Sequence, residues 1–225
     1  MGRRRGFAKA IDADDVAIEA GIGAPECAHG PELAARLHER APNVVLRIVP
    51  SGVPSLESLR ADACQLIISP RPPDATEVMQ KRLFEDRYSV FYDATRREPP
   101  KTRAEYLAAE HATVVYELCR SLDLDQHLAA RGIERRFRVT VPGCSALPAF
   151  IRGTRLIATA PGLLIRRTMT GPGQCRPPVP CPNLSNFMIW HARYQQDPAR
   201  MWLREQLLAW VPDALAEVQA TVEGR

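Results

Sequence analysis

The chain has 225 residues, a mass of 25.0 kDa and a formal net charge of +4, enough length for one large domain or for two smaller lobes. Hydrophobic residues make up 45% and charged residues 25%, ordinary values for a globular protein, which exclude wholesale disorder. No apolar run approaches the length of a membrane helix, and acidic residues interrupt the start of the chain where a secretion signal needs an apolar stretch. We therefore expect a cytoplasmic protein with no membrane contact.

The basic residues are mostly arginine and are spread along the chain. Apart from the run Arg3-Arg4-Arg5, no segment has the clustered positive charge of a helix that reads DNA.

The six cysteines are scattered and form no Cys-x-x-Cys pair, a pattern typical of reduced thiols in a cytosolic protein. Cys175, Cys181 and His191 are conceivable metal ligands, but their spacing fits no zinc module. The sequence therefore predicts neither a metal nor a cofactor.

From residue 31 onward, short helices alternate with apolar strands, and turn residues separate them. The first half is predicted to contain a helix over 31–40 that ends at Ala41-Pro42, a buried parallel strand over 43–50, a short helix over 55–63, a second buried strand over 66–68 and an extended run over 78–92.

The second half continues this alternation, and its clearest start signal is Asp197-Pro198, an N-cap followed by proline in the first helical turn. The predicted elements are helix 102–109, strand 112–116, helix 123–131 ended by Gly132, strand 137–141, a helix capped by Ser145 that runs to 152, strand 156–158, a helix opened by Thr159 and Pro161 that runs to about 167, an irregular proline-rich segment over 171–182, strand 184–191 and helix 198–209.

Strands alternating with helices at such short intervals predict βαβ units in an α/β fold. The chain is predicted to cross between two lobes around residues 87–100 and to return around 182–191, which makes a hinge with a ligand cleft between the lobes. Within residues 1–30, Gly21, Gly23 and Gly30 weaken any strand or helix. The expected organisation is a divergent segment over 1–30, lobe I over 31–90 and 190–225, and lobe II over 91–189.

Several short motifs occur in order between Pro31 and Val211. They are Leu37-x-x-x-Ala41-Pro42-Asn43-Val44, Arg82-Leu83-Phe84-Glu85-Asp86-Arg87-Tyr88, Gly132-Ile133-Glu134-Arg135-Arg136, Val139-x-Val141-Pro142, Gly153-Thr154-x-Leu156-Ile157-Ala158-Thr159-x-Pro161, and Met188-Ile189-Trp190-His191 followed by Asp197-Pro198-Ala199-Arg200-Met201-Trp202-Leu203-Arg204. Together they resemble the effector-binding (substrate-binding) domain of LysR-type transcriptional regulators. Within that family they look most like the subgroup that senses small aromatic compounds.

This resemblance implies a two-lobed α/β fold like that of type 2 periplasmic binding proteins, with two crossover segments as the hinge. It implies a regulatory rather than an enzymatic function, in which a small aromatic or carboxylate effector controls transcription. The family's winged helix-turn-helix is missing from this sequence, so we expect a truncated or reading-frame-altered regulator that contacts DNA only through that absent domain.

The resemblance also implies a homodimer or a higher homo-oligomer, and mixed dimers with an intact regulator. In the family, the first-lobe helix of one subunit packs antiparallel to a second-lobe helix of the other. The helix over 31–40 would take that role here, so Leu33→Asp or Leu37→Asp is predicted to yield monomers.

Effector contacts are expected where strands end and helices begin, because helix N-termini offer unpaired N–H groups to a carboxylate or nitro group. The resemblance points to the same positions. The predicted effector-binding residues are Pro50, Ser51, Ser69, Arg71, Pro142, Gly143, Cys144, Ser145, Thr159 and His191.

Each of these residues also has a structural interpretation. Ser145 and Thr159 are equally readable as helix caps, Arg71 as a solvated loop residue and His191 as a strand end near the hinge.

Two other classes of protein stay open at this point. A solute-binding protein of a transport system would share the expected fold. A cysteine enzyme would use Cys144, which follows a predicted strand and opens a predicted helix, a position that can lower the pKa of a thiol. No Gly-x-Ser-x-Gly elbow, P-loop or Gly-x-Gly-x-x-Gly motif is present.

Overall fold

The computed structural model describes residues 16–20, 26–49, 54–61, 63–115, 123–165 and 173–223. The chain divides into two compact units. Unit 1 comprises Met1–Glu85 and Ser185–Arg225, and unit 2 comprises Asp86–Leu184. The first crossing lies just before the expected range of 87–100, and the second lies within the expected range of 182–191. No helix among the described residues is long and apolar enough to span a membrane.

The elements alternate between strand and helix for most of the chain. In chain order they are β1 (Val16–Ala20), α1 (Glu26–Arg40), β2 (Leu46–Val49), α2 (Leu56–Arg60), β3 (Leu66–Ser69), β4 (Val78–Asp86), β5 (Tyr88–Tyr92), α3 (Arg103–Ala108), β6 (Glu110–Val114), α4 (Asp123–Ala129), β7 (Arg136–Val141), a 3₁₀ turn (Cys144–Ala146), α5 (Leu147–Ile151), β8 (Ile157–Pro161), α6 (Gly162–Ile165), β9 (Gly173–Cys175), β10 (Leu184–His191), a second 3₁₀ turn (Ala192–Tyr194) and α7 (Pro198–Glu223).

Unit 1 is built on a five-stranded sheet in the order β2-β1-β3-β10-β4. Strand β1 runs parallel to β2 and to β3, and β10 runs antiparallel to β3. The glycines of residues 1–30 do not prevent regular structure there, because β1 is an inner strand of this sheet and α1 begins at Glu26. The glycines Gly21 and Gly23 follow β1 instead of interrupting it.

Strand β2 is parallel to its neighbour, as predicted, but it is not buried. It pairs only with β1 and forms the edge of the sheet. Ile48 is 46% exposed, and Val45, just before the strand, is 56% exposed. A continuous apolar run indicated burial on both faces here, but the edge position leaves these side chains uncovered.

Helix α1 packs its apolar stripe against α7 of the same chain. Leu33 and Leu37 are 7% and 3% exposed and line a shallow groove together with Trp210. An ion pair between Arg36 and Asp213, with Nη2 and Oδ2 2.7 Å apart, flanks the groove. The predicted dimer role of Leu33 and Leu37 is therefore wrong, since the stripe of an amphipathic helix here covers its own core.

Helix α7 begins as the sequence predicts. The carboxylate of Asp197 accepts a hydrogen bond from the amide of Arg200, with Oδ1 and N 2.9 Å apart, while Pro198 occupies the first helical position. The helix continues through Pro212 to Glu223, well beyond the predicted end at residue 209. The sequence prediction ended the helix before Pro212, because proline disfavours a helix interior. Tertiary packing can override that preference, and it is not visible in the pattern of apolar residues.

Unit 2 is built on a second five-stranded sheet in the order β7-β6-β8-β5-β9. Strands β6, β7 and β8 are parallel, and β5 runs antiparallel to β8 and to β9. One face of the sheet packs against α5 through Leu147 and Ile151. The other packs against α3 and α4 through Tyr106, Leu124 and Leu128. Buried alternate residues on two faces give this unit its core.

Candidate functional site

In unit 1, one of the predicted strand ends lies among the described residues. Ser69 is the last residue of β3, is 2% exposed, and its hydroxyl accepts a hydrogen bond from the amide of Arg71, with Oγ and N 3.2 Å apart. This bond fixes the turn that follows the strand and leaves Arg71 half-buried. Pro50 and Ser51, which were predicted to follow the neighbouring strand, lie outside the described residues.

Unit 2 contributes the segment that follows β7. Pro142 is exposed, Gly143 is half-buried, Cys144 is buried and Ser145 is exposed, so the segment has one solvent-facing side. A side chain at Gly143 would meet only the hydroxyl of Ser145, with Cβ and Oγ 3.9 Å apart. This position has room for a larger residue, and glycine leaves that space open.

Ser145 does not cap a helix, contrary to prediction. It lies inside the 3₁₀ turn, and α5 begins after Ala146, which provides no side-chain cap. The amide of Ala146 instead donates to the carbonyl of Gly143, with N and O 3.2 Å apart. Among the described residues the hydroxyl of Ser145 makes no hydrogen bond, which leaves it available to a ligand.

Cys144 faces inward. It is 8% exposed and packs in the apolar cluster around Leu147 and Ile151. A reactive cysteine is reached by solvent, whereas this thiol is buried in an apolar cluster. The geometry suits packing and gives no support to a nucleophile.

Thr159 is not a helix cap, contrary to prediction. It lies within β8 and is 2% exposed, and its Oγ1 lies 2.7 Å from the Oη of Tyr106. Helix α6 begins three residues later, at Gly162. An amide in its first turn is capped by a residue from another part of the chain: the buried carboxylate of Asp86 accepts a hydrogen bond from the amide of Leu163 at 3.2 Å.

His191 ends β10 and is 8% exposed. Its Nδ1 accepts a hydrogen bond from the amide of Arg193 at 3.1 Å and thereby caps the 3₁₀ turn that follows. Its Nε2 lies 3.7 Å from Oε1 of Glu77. The ring therefore has local partners on both sides, as its structural interpretation expected.

Sequence reasoning missed a polar layer inside unit 2, next to Thr159. The Nε2 of His111 donates to the carbonyl of Tyr106 at 2.9 Å, and the two rings meet edge to face with centroids 4.7 Å apart. Burial, reinforced by the charge of Arg135, lowers the pKa of His111 to about 4, so this imidazole is neutral at pH 7.

The side chain of Arg135 is itself fully buried and forms an ion pair with Asp125, with Nε and Oδ1 2.8 Å apart. Its guanidinium also lies over the ring of Phe137, at 5.0 Å from the centroid. A buried charge requires such a partner. The sequence carried one sign of this feature, since Arg135 belongs to a quoted family motif, but nothing in the sequence indicated Asp125 as its partner.

Within the described residues, no group of three His, Cys, Asp or Glu side chains is placed to hold a metal ion. The thiol of Cys181 donates to the carbonyl of Val179 at 3.6 Å, and burial raises its pKa to about 11. At neutral pH this sulfur is a protonated thiol, a form that does not bind metals.

Comparison with protein families gives one match that covers most of the chain. The family described as LysR substrate binding domain matches residues 21–212.

Curated relatives are similar over about four-fifths of the chain. The HTH-type transcriptional activator NagR of Ralstonia sp is 31% identical over 180 residues, which make up 78% of this chain and 60% of NagR. The HTH-type transcriptional activator NahR of Pseudomonas putida is 28% identical over 183 residues, with the same two shares. Nodulation protein D 2 of Rhizobium tropici is 29% identical, and the match covers 79% of this chain and 58% of that protein. The chain thus matches about 60% of the length of these relatives.

Solved structures share the fold at lower identity. The regulatory domain of MexT, a transcriptional activator in Pseudomonas aeruginosa, superimposes with a TM-score of 0.75 at 22% identity, covering 87% of this chain and 99% of that one. CrgA, a LysR-type transcriptional regulator from Neisseria meningitidis, superimposes with a TM-score of 0.73 at 15% identity, covering 94% of this chain and 72% of that one.

Proposed function

The chain belongs to the LysR substrate-binding domain family, and we propose that it serves as the effector-binding regulatory domain of a bacterial transcription regulator. The observation that carries this proposal is the family match over residues 21–212, which includes the whole sheet of unit 2 and every strand of the unit 1 sheet except β1. The expected two-lobed α/β fold of the type 2 periplasmic-binding-protein class is confirmed by the regulatory-domain structures that superimpose on it. The family is a regulatory one, so the prediction that the chain is not an enzyme is confirmed.

The proposed effector is a small aromatic or carboxylate compound. Support comes from the sequence resemblance to the aromatic-sensing subgroup and from the chemistry after β7. There, the exposed hydroxyl of Ser145 and the open space at Gly143 offer one hydrogen-bonding group beside room for a ring.

The proposed contacts differ in how directly they serve a ligand. Ser145, Gly143 and Pro142 present surface to solvent, and Cys144 supports them from below. Thr159 and His191 already bond to neighbouring groups, so their proposed role is to hold the surrounding backbone in place.

In unit 1, the turn at Ser69 presents Arg71, whose guanidinium suits a carboxylate. Pro50 and Ser51 stay predictions of the sequence, as does the expectation that both units contribute to one cleft.

The effector proposal is tested by thermal denaturation with benzoate and salicylate. A ligand that prefers the folded state raises the melting temperature, and the rise grows with the logarithm of the ligand concentration once that concentration exceeds the Kd. We expect Ser145→Ala to reduce the shift and Gly143→Leu to abolish it by filling the space. Ser185→Ala, which removes a hydroxyl beside Glu85 in unit 1, is the matched control and should leave the shift unchanged. Equal shifts in all four proteins would contradict the proposed site.

The family acts as oligomers, and we propose that this chain forms a homodimer. Its exposed apolar residues support this, since unit 1 exposes Val45 and Ile48 at its sheet edge and unit 2 exposes Phe150 on α5. On α1, the face turned away from α7 carries the exposed residues Ala35, His38 and Glu39. This exposed face, and not the buried stripe, is the proposed partner of α5.

In this proposal, DNA contact belongs to a winged helix-turn-helix domain, outside the residues that match the LysR substrate binding domain. The two activators named above are HTH-type proteins, and the chain matches about 60% of their length. A natural truncation, mixed dimers with an intact regulator and a cytoplasmic location stay predictions. The alternative of a transport solute-binding protein is less well supported, because the named relatives NagR, NahR, MexT and CrgA are transcription regulators.

A further inference from the structure

A second pocket lies in unit 2, away from the segment after β7. It has a volume of about 480 Å³ and is lined by the turn that follows β5, by Glu105 in the first turn of α3, and by Arg155. We propose that this pocket binds an oxyanion of the phosphate class between the guanidinium groups of Arg97 and Arg155.

The two turns that carry these arginines are fastened together by one buried carboxylate. Asp93 is 7% exposed; its Oδ1 accepts from the amide and the hydroxyl of Thr95, at 2.8 and 2.6 Å. Its Oδ2 accepts from the amide of Gly153, across 60 residues of chain, at 2.6 Å. Three short hydrogen bonds to one carboxylate hold the backbone on both sides of the pocket in a fixed arrangement.

The guanidinium groups are held in the same way. Nη1 of Arg97 donates to the carbonyl of Arg155 at 3.0 Å, and its Nε donates to the carbonyl of Glu98 at 3.1 Å. In return, Nη1 of Arg155 donates to the carbonyl of Arg96 at 3.2 Å. Hydrogen bonds to backbone carbonyls thus hold each side chain in place. Less conformational entropy is therefore lost when a ligand binds.

This arrangement places the positive charges of Arg97 and Arg155 near each other, in a pocket whose lining also includes the carboxylates of Glu98 and Glu105. Within the part of the chain that the structure describes, neither Arg97 nor Arg155 forms an ion pair with a carboxylate. Burial and the charge of Arg155 lower the pKa of the Arg97 guanidinium, a consequence of this proximity. An anion between the two groups would relieve the repulsion.

Two carboxylates line the pocket: that of Glu98 is exposed to solvent, and that of Glu105 is already engaged. Oε2 of Glu105 accepts from the amides of Lys101 and Thr102, at 2.7 and 3.4 Å, in the capping box of α3. These bonds direct its charge toward the helix start. The guanidinium groups keep further N–H groups for a ligand, and their planar forks match the oxygen atoms of phosphate.

The pocket is separate from the proposed effector contacts of unit 2. Strands β6, β7 and β8 are parallel, and Arg155 precedes β8 whereas Pro142 follows β7. The two sites therefore lie at opposite ends of the same sheet, and phosphate binding would stand even if the effector proposal failed.

The test is a titration of the whole chain with inorganic phosphate at constant ionic strength, followed by amide NMR shifts and by melting temperature. We expect saturable shifts at Thr95, Arg97 and Arg155, and no comparable shifts at Ser145. Arg97→Gln and Arg155→Gln should each weaken binding about tenfold or more, the factor expected for one charge-assisted hydrogen bond. Arg103→Gln removes the same charge from an exposed residue of α3 outside the pocket lining and should bind phosphate normally.

Three outcomes would overturn the proposal. They are the absence of saturable shifts in the wild-type chain, unchanged phosphate affinity in the two glutamine variants, and an equal response to acetate, which would assign the pocket to carboxylates. The shift map of the wild-type chain decides the question even where a variant does not fold.

Discussion

The hydroxyl groups of Tyr106 and Thr159 lie 2.7 Å apart in the interior of unit 2 and join α3 to β8. Both residues are almost fully buried, so their hydroxyl groups bond to each other instead of to water, and the Tyr106 hydroxyl also interacts with Arg135. Such a pair is neutral or mildly stabilising when complete and costly when one member is lost, because the remaining group stays buried without a partner.

Removing one member of this pair should therefore destabilise the protein more than removing both. We expect Tyr106→Phe and Thr159→Val each to lower the free energy of unfolding by about 1–3 kcal/mol. The double variant should lose less than either single variant, and so less than their sum. Urea denaturation of the four proteins gives the coupling energy, and strict additivity would show that the two hydroxyl groups do not interact.

Because the buried His111 is neutral, the free energy of unfolding should decrease as the pH becomes mildly acidic. Burial, with the charge of Arg135, lowers the pKa of His111 to about 4 in the folded chain, against 6.5 as its ordinary value. The unfolded chain binds the extra proton between these two values, so stability is full above pH 6.5 and falls as the pH drops toward 4.

The loss is on the order of 3 kcal/mol across that window. Denaturation at a series of pH values should show His111→Gln with a flatter profile between pH 4 and 6.5. The solvent-facing His38 provides the control, since His38→Gln should keep the wild-type slope. A wild-type profile that is flat in this range would contradict a neutral buried imidazole.

Replacement by alanine should lower stability clearly at one glycine of unit 2 and hardly at all at another. A Cβ at Gly162 would lie 2.9 Å from Oγ of Ser89 and 3.0 Å from the carbonyl of Arg87, where α6 starts against the chain crossing. We expect Gly162→Ala to cost about 1–3 kcal/mol, as overpacking does. Gly143→Ala meets ordinary contact distances and should change stability by less than about 0.5 kcal/mol. Thermal or urea unfolding measures both, and equal effects would refute this close approach at Gly162.

The proposed dimer predicts different outcomes for an exposed and a buried apolar residue. Phe150 is 44% exposed on α5, so Phe150→Asp should dissociate the dimer while the far-ultraviolet circular dichroism stays unchanged. Leu37 is 3% exposed against α7, so Leu37→Asp should instead destabilise unit 1 by several kcal/mol, because it buries a carboxylate in the core.

Sedimentation gives the mass of each variant in solution and so distinguishes loss of the dimer from loss of stability. A dimer mass that survives Phe150→Asp would exclude α5 from the interface, and a monomeric wild-type chain would end the dimer proposal.

The local sequence was sufficient wherever one segment decides its own structure. Strand β10 runs over Leu184–His191 as predicted, and Asp197-Pro198 starts α7, because capping and backbone preferences act within a few residues. The order of apolar runs also sufficed for the α/β class, since alternating strands and helices have few ways to bury their faces.

Tertiary structure alone decided which groups meet. Periodicity identifies the apolar stripe of α1 but not that α7 covers it, and a threonine followed by proline looks like a cap whether or not a distant tyrosine binds its hydroxyl. Asp93 and Gly153, or Arg97 and Arg155, are about 60 residues apart in the chain and carry no mutual signal. Hydrogen bonds and burial depend on approach in space, which the fold as a whole determines.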